Sequence, residues 1–144
     1  MDISSITINC DINQIYKFMS DIHQINLWSF GIQWDHYNNH DGIIKGISNY
    51  DQSIAYLKIT KNDKTKKIHY WIGEDIQNLI PRIYVRITPT NDINSNQLSM
   101  IAFKTDDMTE ERWNKLKELH SLEIKEIKRL IEEKYIIYYT IILP

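Results

Sequence analysis

The chain has 144 residues, with 17 Lys plus Arg against 19 Asp plus Glu and a formal net charge of −2. That near balance argues against a dedicated DNA or RNA binder, which carries a basic excess, and 42% apolar with 25% charged residues excludes disordered, collagen-like and coiled-coil chains. The length suits one domain with a single core, and a lone cysteine, Cys10, excludes an intrachain disulfide and favours a reducing cytoplasm.

Residues 2–9 open the chain as a strand, with Ile6 and Ile8 alternating against Thr7 and Asn9. No basic segment followed by an apolar stretch precedes them, so no signal peptide is expected. Asp11 is a candidate N-cap, and Ile12, Ile15, Tyr16 and Met19 fall on one helical face of a segment ending near Ser20. Asp21 caps a second short helix through Ile22 and Ile25, ending near Trp28.

The period then changes from helix to strand. Phe30, Ile32, Trp34 and His36 alternate with Gly31, Gln33 and Asp35, and the turn cluster 38–42 contains Asp41-Gly42. Further strands are expected over 43–50, 53–60, 67–74, 82–89 and 97–104, separated by the charged turn 61–66, the irregular stretch 75–81 and the polar turn 91–96. From Thr109, a plausible N-cap followed by Glu110 and Glu111, the helical period returns over about 110–135. At about 100° per residue, Trp113, Leu116, Ile124, Ile127 and Ile131 share one face, while Lys115, Glu118, Lys125, Glu126, Arg129 and Glu133 fall elsewhere. Glu111 and Lys115 have the spacing of a favourable pair.

One domain over 1–135 and an apolar tail over 136–144 result. The most apolar segment, YIIYYTIILP (135–144), is about ten residues long where a membrane-spanning helix needs roughly 20. A soluble, cytoplasmic protein without stable membrane insertion is expected. The tail either docks on its own domain or forms a homodimer contact.

The fold class is α+β. A curved antiparallel sheet of about six to seven hairpin-linked strands needs one face covered. The only element long enough is the C-terminal helix, nearly 40 Å at roughly 1.5 Å per residue. Two short helices follow the first strand.

This order resembles the helix-grip domains of the START, polyketide-cyclase and birch-pollen-allergen superfamily (SRPBCC). The resemblance covers nearly all of 1–135. It rests on the opening strand and helix ITINCDINQIYKFMSD with Tyr16 and Phe18 before an Asp, on Trp28 after the second short helix, and on the late strand, acidic turn and long helix of 97–135. The family's Gly-rich loop is reduced here to His40-Asp41-Gly42. The resemblance implies a hydrophobic cavity between sheet and long helix, which members use to hold lipids, polyketides, sterols or hormones, some as enzymes and others as carriers or sensors.

Several residues are candidates for chemistry in such a cavity. His120 sits near the middle of the apolar face, where it either orients a ligand or acts as acid/base, or else serves as a core histidine with a buried partner. Glu123 lies close to that face, where it either pairs with His120 or, as is usual for a glutamate, sits at the helix margin in solvent. Trp113, Leu116, Ile124 and Ile127 would line the helical wall. Trp34, His36, Tyr56, His69, Tyr70, Trp71 and Tyr84 form an aromatic and imidazole set on the strands, of which Trp34, His36, Tyr56, Tyr70 and Tyr84 are the candidate ligand contacts. Alternation alone does not say whether His69 and Trp71 or Ile68, Tyr70 and Ile72 face inward. Arg82 and Arg86 share the face of Tyr84 and are expected outward, opposite Ile83, Val85 and Ile87.

No metal site is expected. His36 and His40 have a helical interval but lie in a strand entering a turn, and paired cysteines and HExxH are absent. No GxSxG, P-loop or GxGxxG motif is present, so no cofactor and no catalytic set is assigned. The sequence therefore points first to binding or transport of a small hydrophobic ligand, such as a lipid, a polyketide-like compound or an aromatic. The alternatives are a cyclase or hydrolase using the same cavity, which needs a second titratable group near His120, and a protein–protein adaptor with a filled cavity.

Overall fold

The computed structural model describes residues 1–35 and 41–142, the last eight of them as backbone alone. Strand β1 (Asp2–Ile8) leads into α1 (Ile12–Ser20), a 3₁₀ turn (Ile22–Gln24) and α2 (Ile25–Trp28). Asp11 caps α1, its carboxylate accepting the Asn13 N–H at 3.1 Å, and Asp21 accepts the His23 N–H at 2.9 Å at the start of the 3₁₀ turn. Strands β2 (Ile32–Asp35), β3 (Ile44–Ser48), β4 (Ile54–Asn62) and β5 (Lys67–Gly73) follow. After a 3₁₀ turn (Ile76–Asn78) come β6 (Ile80–Pro89), β7 (Asn96–Ala102) and the long helix α3 (Glu110–Ile142).

The seven strands form one curved antiparallel sheet in the order β1-β7-β6-β5-β4-β3-β2. Strands β2 to β7 succeed one another in space as in sequence, as short polar turns require. Strand β1 returns to pair with β7, placing Ile6 opposite Leu98. The architecture is an α+β helix-grip: α3 covers the inner face of the sheet, and α1 and α2 close one end.

Helix α3 begins at the expected cap, with the Thr109 hydroxyl accepting the Arg112 N–H at 3.1 Å. It runs on to Ile142 rather than ending near 135, so the backbone of 136–142 continues the helix. Side chains of the 136–144 tail lie outside the described residues, as does the dimer contact assigned to them. Lys115 reaches Glu118 at 3.9 Å rather than pairing with Glu111.

Strand β6 starts earlier than expected and includes Pro81, although β6 is an interior strand. A proline lacks the N–H that the ladder needs and is tolerated inside a sheet mainly at bulges. The register shows the irregularity: Tyr70 pairs with Ile83 and Trp71 with Pro81, which leaves Arg82 without a partner on β5, while its carbonyl accepts the Phe103 N–H at 3.0 Å on the other side.

Two apolar clusters fill the space under α3. The larger joins Ile8, Ile15, Met19, Leu57, Ile68, Val85, Leu98 and Met100 to Ile124, Ile127 and Ile131 of the helix. Tyr70 belongs to it, donating its hydroxyl to the Met19 carbonyl at 2.6 Å and meeting Trp28 edge to face. The smaller joins Ala102, Met108 and Trp113 near the start of α3. Ile83 packs against both.

Among the described residues, no helix is long and apolar enough to cross a membrane. No group of three or more His, Cys, Asp and Glu side chains among them is placed to hold a metal ion.

Candidate functional site

The packing under α3 is incomplete. Two spaces of about 80 Å³ each lie between the sheet and the first half of α3. The outer one is bordered by Ala55, Gly73, Glu74, Arg82, Met108 and Trp113, among others. The inner one is bordered by Ile25, Trp28, Trp34, Leu57, Tyr70 and Glu123, among others. Ile32, Ile72, Ile83, Leu116 and His120 border both, so the two spaces adjoin along these five residues.

His120 is 4% exposed, and its Nδ1 has no hydrogen-bond partner. Burial pushes the imidazole below its ordinary pKa, partly countered by the negative charge of Asp2. Its Nε2 lies 3.9 Å from Glu123 Oε1, beyond hydrogen-bond reach.

Glu123 is the principal correction to the sequence reading. It is not at a solvated margin but 5% exposed, and its Oε2 accepts the Phe30 N–H at 2.8 Å. Three residues along α3 turn it only about 60° from His120, and the α2–β2 connection folds over that edge of the helix. Burial raises its carboxyl to about 7, with the Phe30 N–H acting in the opposite direction. The acid and the imidazole are thus both pushed toward their neutral forms, because burial desolvates both.

The strand residues divide by face. Trp34 is buried on the inner face, where Asn26 binds its backbone on both sides, by Nδ2 to the carbonyl (2.6 Å) and by Oδ1 from the N–H (2.8 Å). Its indole Nε1 is buried without a partner. Tyr70 is inward as well. Tyr56 and Tyr84, expected as ligand contacts, lie on the opposite face: Tyr56 alternates with buried Ala55 and Leu57, and Tyr84 precedes fully buried Val85. Tyr84 stacks between His69 and Phe103 there, and Trp71 donates its indole N–H to Thr60 at 2.8 Å. His36 lies outside the described residues. Trp113 and Leu116 border the spaces, whereas Ile124 and Ile127 belong to the packed core and border neither.

Arg82 is the residue that sequence reasoning misplaced in the other direction. The bulge breaks the alternation that would send it outward with Tyr84, and it borders the outer space together with Ile83. Its Nε is buried without a partner, and its nearest carboxylate, Asp107, is 3.9 Å away. Arg86 keeps the expected outward position and is exposed.

No family model and no curated protein sequence matches the chain. Solved structures do match over nearly its full length. Aha1 from Colwellia psychrerythraea, determined as a dimer in solution, has 13% identity and a TM-score of 0.65, over 90% of this chain and 94% of that one. A START superfamily protein from Mycobacterium smegmatis has 11% identity and a TM-score of 0.57, over 92% and 94%. The Zhui aromatase/cyclase from Streptomyces sp. R1128 has 12% identity and a TM-score of 0.53, over 90% and 94%. With seven antiparallel strands gripping one long helix, this chain has the START-like helix-grip fold of these structures.

Proposed function

We propose that the chain binds a small, largely apolar molecule in the space between the sheet and the first half of α3, with His120 orienting it. The observation that carries this reading is the placement of His120. It is a buried imidazole on the shared border of two unfilled spaces, with a ring nitrogen that no group among the described residues satisfies. A buried polar atom without a partner costs about 1–3 kcal/mol, and a ligand hydroxyl or carbonyl-derived group would remove that cost. The walls supply the rest of the affinity through apolar burial, at about 25 cal/mol per Å².

Size narrows the ligand class. A cavity of about 150 Å³ takes a benzene molecule, and two adjoining spaces of about 80 Å³ each together match that volume. A single ring or a short chain fits better than a sterol or a two-chain lipid. The unfilled space disfavours the adaptor reading, which needs a solid interior. A cyclase or hydrolase reading gains one specific observation, the second titratable group that Glu123 provides 3.9 Å from His120. At that distance no proton passes directly between them, so binding remains the better-supported function.

Benzyl alcohol, titrated into methyl-labelled protein, tests the proposal. Methyl resonances of Ile32, Ile72, Ile83 and Leu116 should shift while those of Ile127 and Ile131 stay in place. His120→Ala should keep the folded spectrum and weaken binding about tenfold, the loss of roughly 1.4 kcal/mol. Shifts confined to residues outside the two spaces, or none at all, would refute it.

A further inference from the structure

We propose that the ligand is a monoanion, a small carboxylate whose head is held by Arg82 in the outer space and whose apolar body extends past His120 into the inner one. This rests on the binding function proposed above and adds the chemistry of the head group.

The first argument is the state of Arg82. A guanidinium is charged at every accessible pH; the Arg82 side chain is half-buried, and its Nε is fully buried with no acceptor among the described residues. The neighbouring groups do not supply that partner. Asp107 Oδ2 stands 3.9 Å from the guanidinium Nη2, a long and largely exposed contact that leaves Nε unsatisfied, while its Oδ1 takes the Thr105 hydroxyl. Arg112, the other cation bordering the outer space, is committed to Asp51 at 2.8 Å and lies over the Tyr50 ring. Arg82 Nε therefore remains a buried, charged donor without a protein acceptor. A carboxylate is the acceptor whose two oxygens match the guanidinium fork.

The second argument is how Arg82 gets there. Strand alternation would place it in water beside Tyr84, where a lone arginine costs nothing. The bulge opposite Tyr70 and Trp71 turns it to the inner side instead, at a central strand position that also accepts Pro81. Bulges re-aim side chains, and here the side chain re-aimed is the one cation that lacks a close partner among those bordering the spaces.

The third argument is the gradient between the two spaces. The outer one carries Arg82, Arg112, Glu74 and two serines, Ser48 and Ser53. The inner one is almost wholly hydrocarbon, with the Trp34 N–H at its wall as a donor. A molecule charged at one end and apolar at the other fits that polarity in one orientation only. Glu74 at the border of the outer space, together with Asp107 beside Arg82, disfavours a dianion, which separates a carboxylate from a phosphate monoester.

Benzoate, benzyl alcohol and phenyl phosphate share one ring and differ in head charge, and their affinities can be compared by the same methyl-resonance titration. Benzoate should bind at least tenfold more tightly than benzyl alcohol and more tightly than phenyl phosphate. R82Q should bring the benzoate-to-alcohol ratio close to one, and R82K should retain part of the preference. If benzyl alcohol binds in the two spaces and benzoate binds no better, the carboxylate assignment falls and the binding function stands. A stronger response to phenyl phosphate overturns the monoanion in favour of a phosphate ester. If none of the three binds, both proposals fall together. Should R82Q not fold, the wild-type ratio decides alone.

Discussion

Glu123 Oε1 lies 3.9 Å from His120 Nε2, less than one helical turn away on α3, and both side chains are buried. The pair is a proximity of two groups driven toward neutrality, not an ion pair that holds the helix to the sheet.

Stability should depend on pH through Glu123. Its carboxyl is raised from 4.5 to about 7 in the fold, so below pH 4.5 both folded and unfolded chains carry the proton. Between 4.5 and 7 the unfolded chain ionises first and the folded state loses ground as pH rises. Above 7 both are ionised and the penalty is constant. Glu123→Gln keeps an oxygen to accept the Phe30 N–H and removes the titration. Relative to this variant, the wild-type protein should lose about 3 kcal/mol between pH 4.5 and 7 and change little above that. Urea midpoints across the range measure it. A constant difference would mean that the carboxyl is not desolvated. His120 has the opposite sign, since a lowered pKa costs stability as pH falls below 6.5, and the comparison with the Gln variant cancels its share.

The two halves of α3 should differ in their tolerance of truncation. Ile127 is fully buried in the larger cluster, so Ile127→Ala should cost about 2–5 kcal/mol. Leu116 already borders empty space on two sides. Leu116→Ala should cost less than half as much, because few packed neighbours are lost, and it should join the two spaces into one. Thermal and urea unfolding of both variants decide this, and equal losses would mean that the gap is closed in solution.

Gly46 is the third test. It pairs with Trp34 across β2 and β3, and a Cβ there would sit 2.6 Å from Trp34 Cε3 and 2.7 Å from the Gln33 carbonyl oxygen. One of these neighbours is backbone and cannot withdraw. Gly46→Ala should therefore destabilise by about 1–3 kcal/mol and shift the Trp34 indole resonance. An unchanged melting temperature would show that the strands separate freely at this edge.

Much of this architecture was legible in the chain. The Asp11 cap, the 3,4-spaced face of α1 and the stripe from Trp113 to Ile131 are local patterns, and local patterns survive folding. The site was less legible. Glu123 was read as solvated because a charged residue beside an apolar stripe usually is, and the packing of the Phe30 backbone over it is a long-range contact. Tyr56 and Tyr84 stand among the candidate ligand contacts because an aromatic on a two-faced strand carries no sign of its side. Only the neighbours' burial shows it. For Arg82, Pro81 was the available signal: a proline beside a clean alternation marks a bulge, and alternation ceases to be a guide there.

Side-chain direction along a strand is a matter of parity, and an unpaired residue reverses that parity for everything on one side of it. In β6 the reversal falls between a proline and an isoleucine, so a guanidinium occupies a wall that odd–even counting would have given to hydrocarbon. Removing one residue from this stretch would restore the count and return the charge to water. The polarity of the chamber is thus set by a single increment of chain length in the seam between β5 and β6.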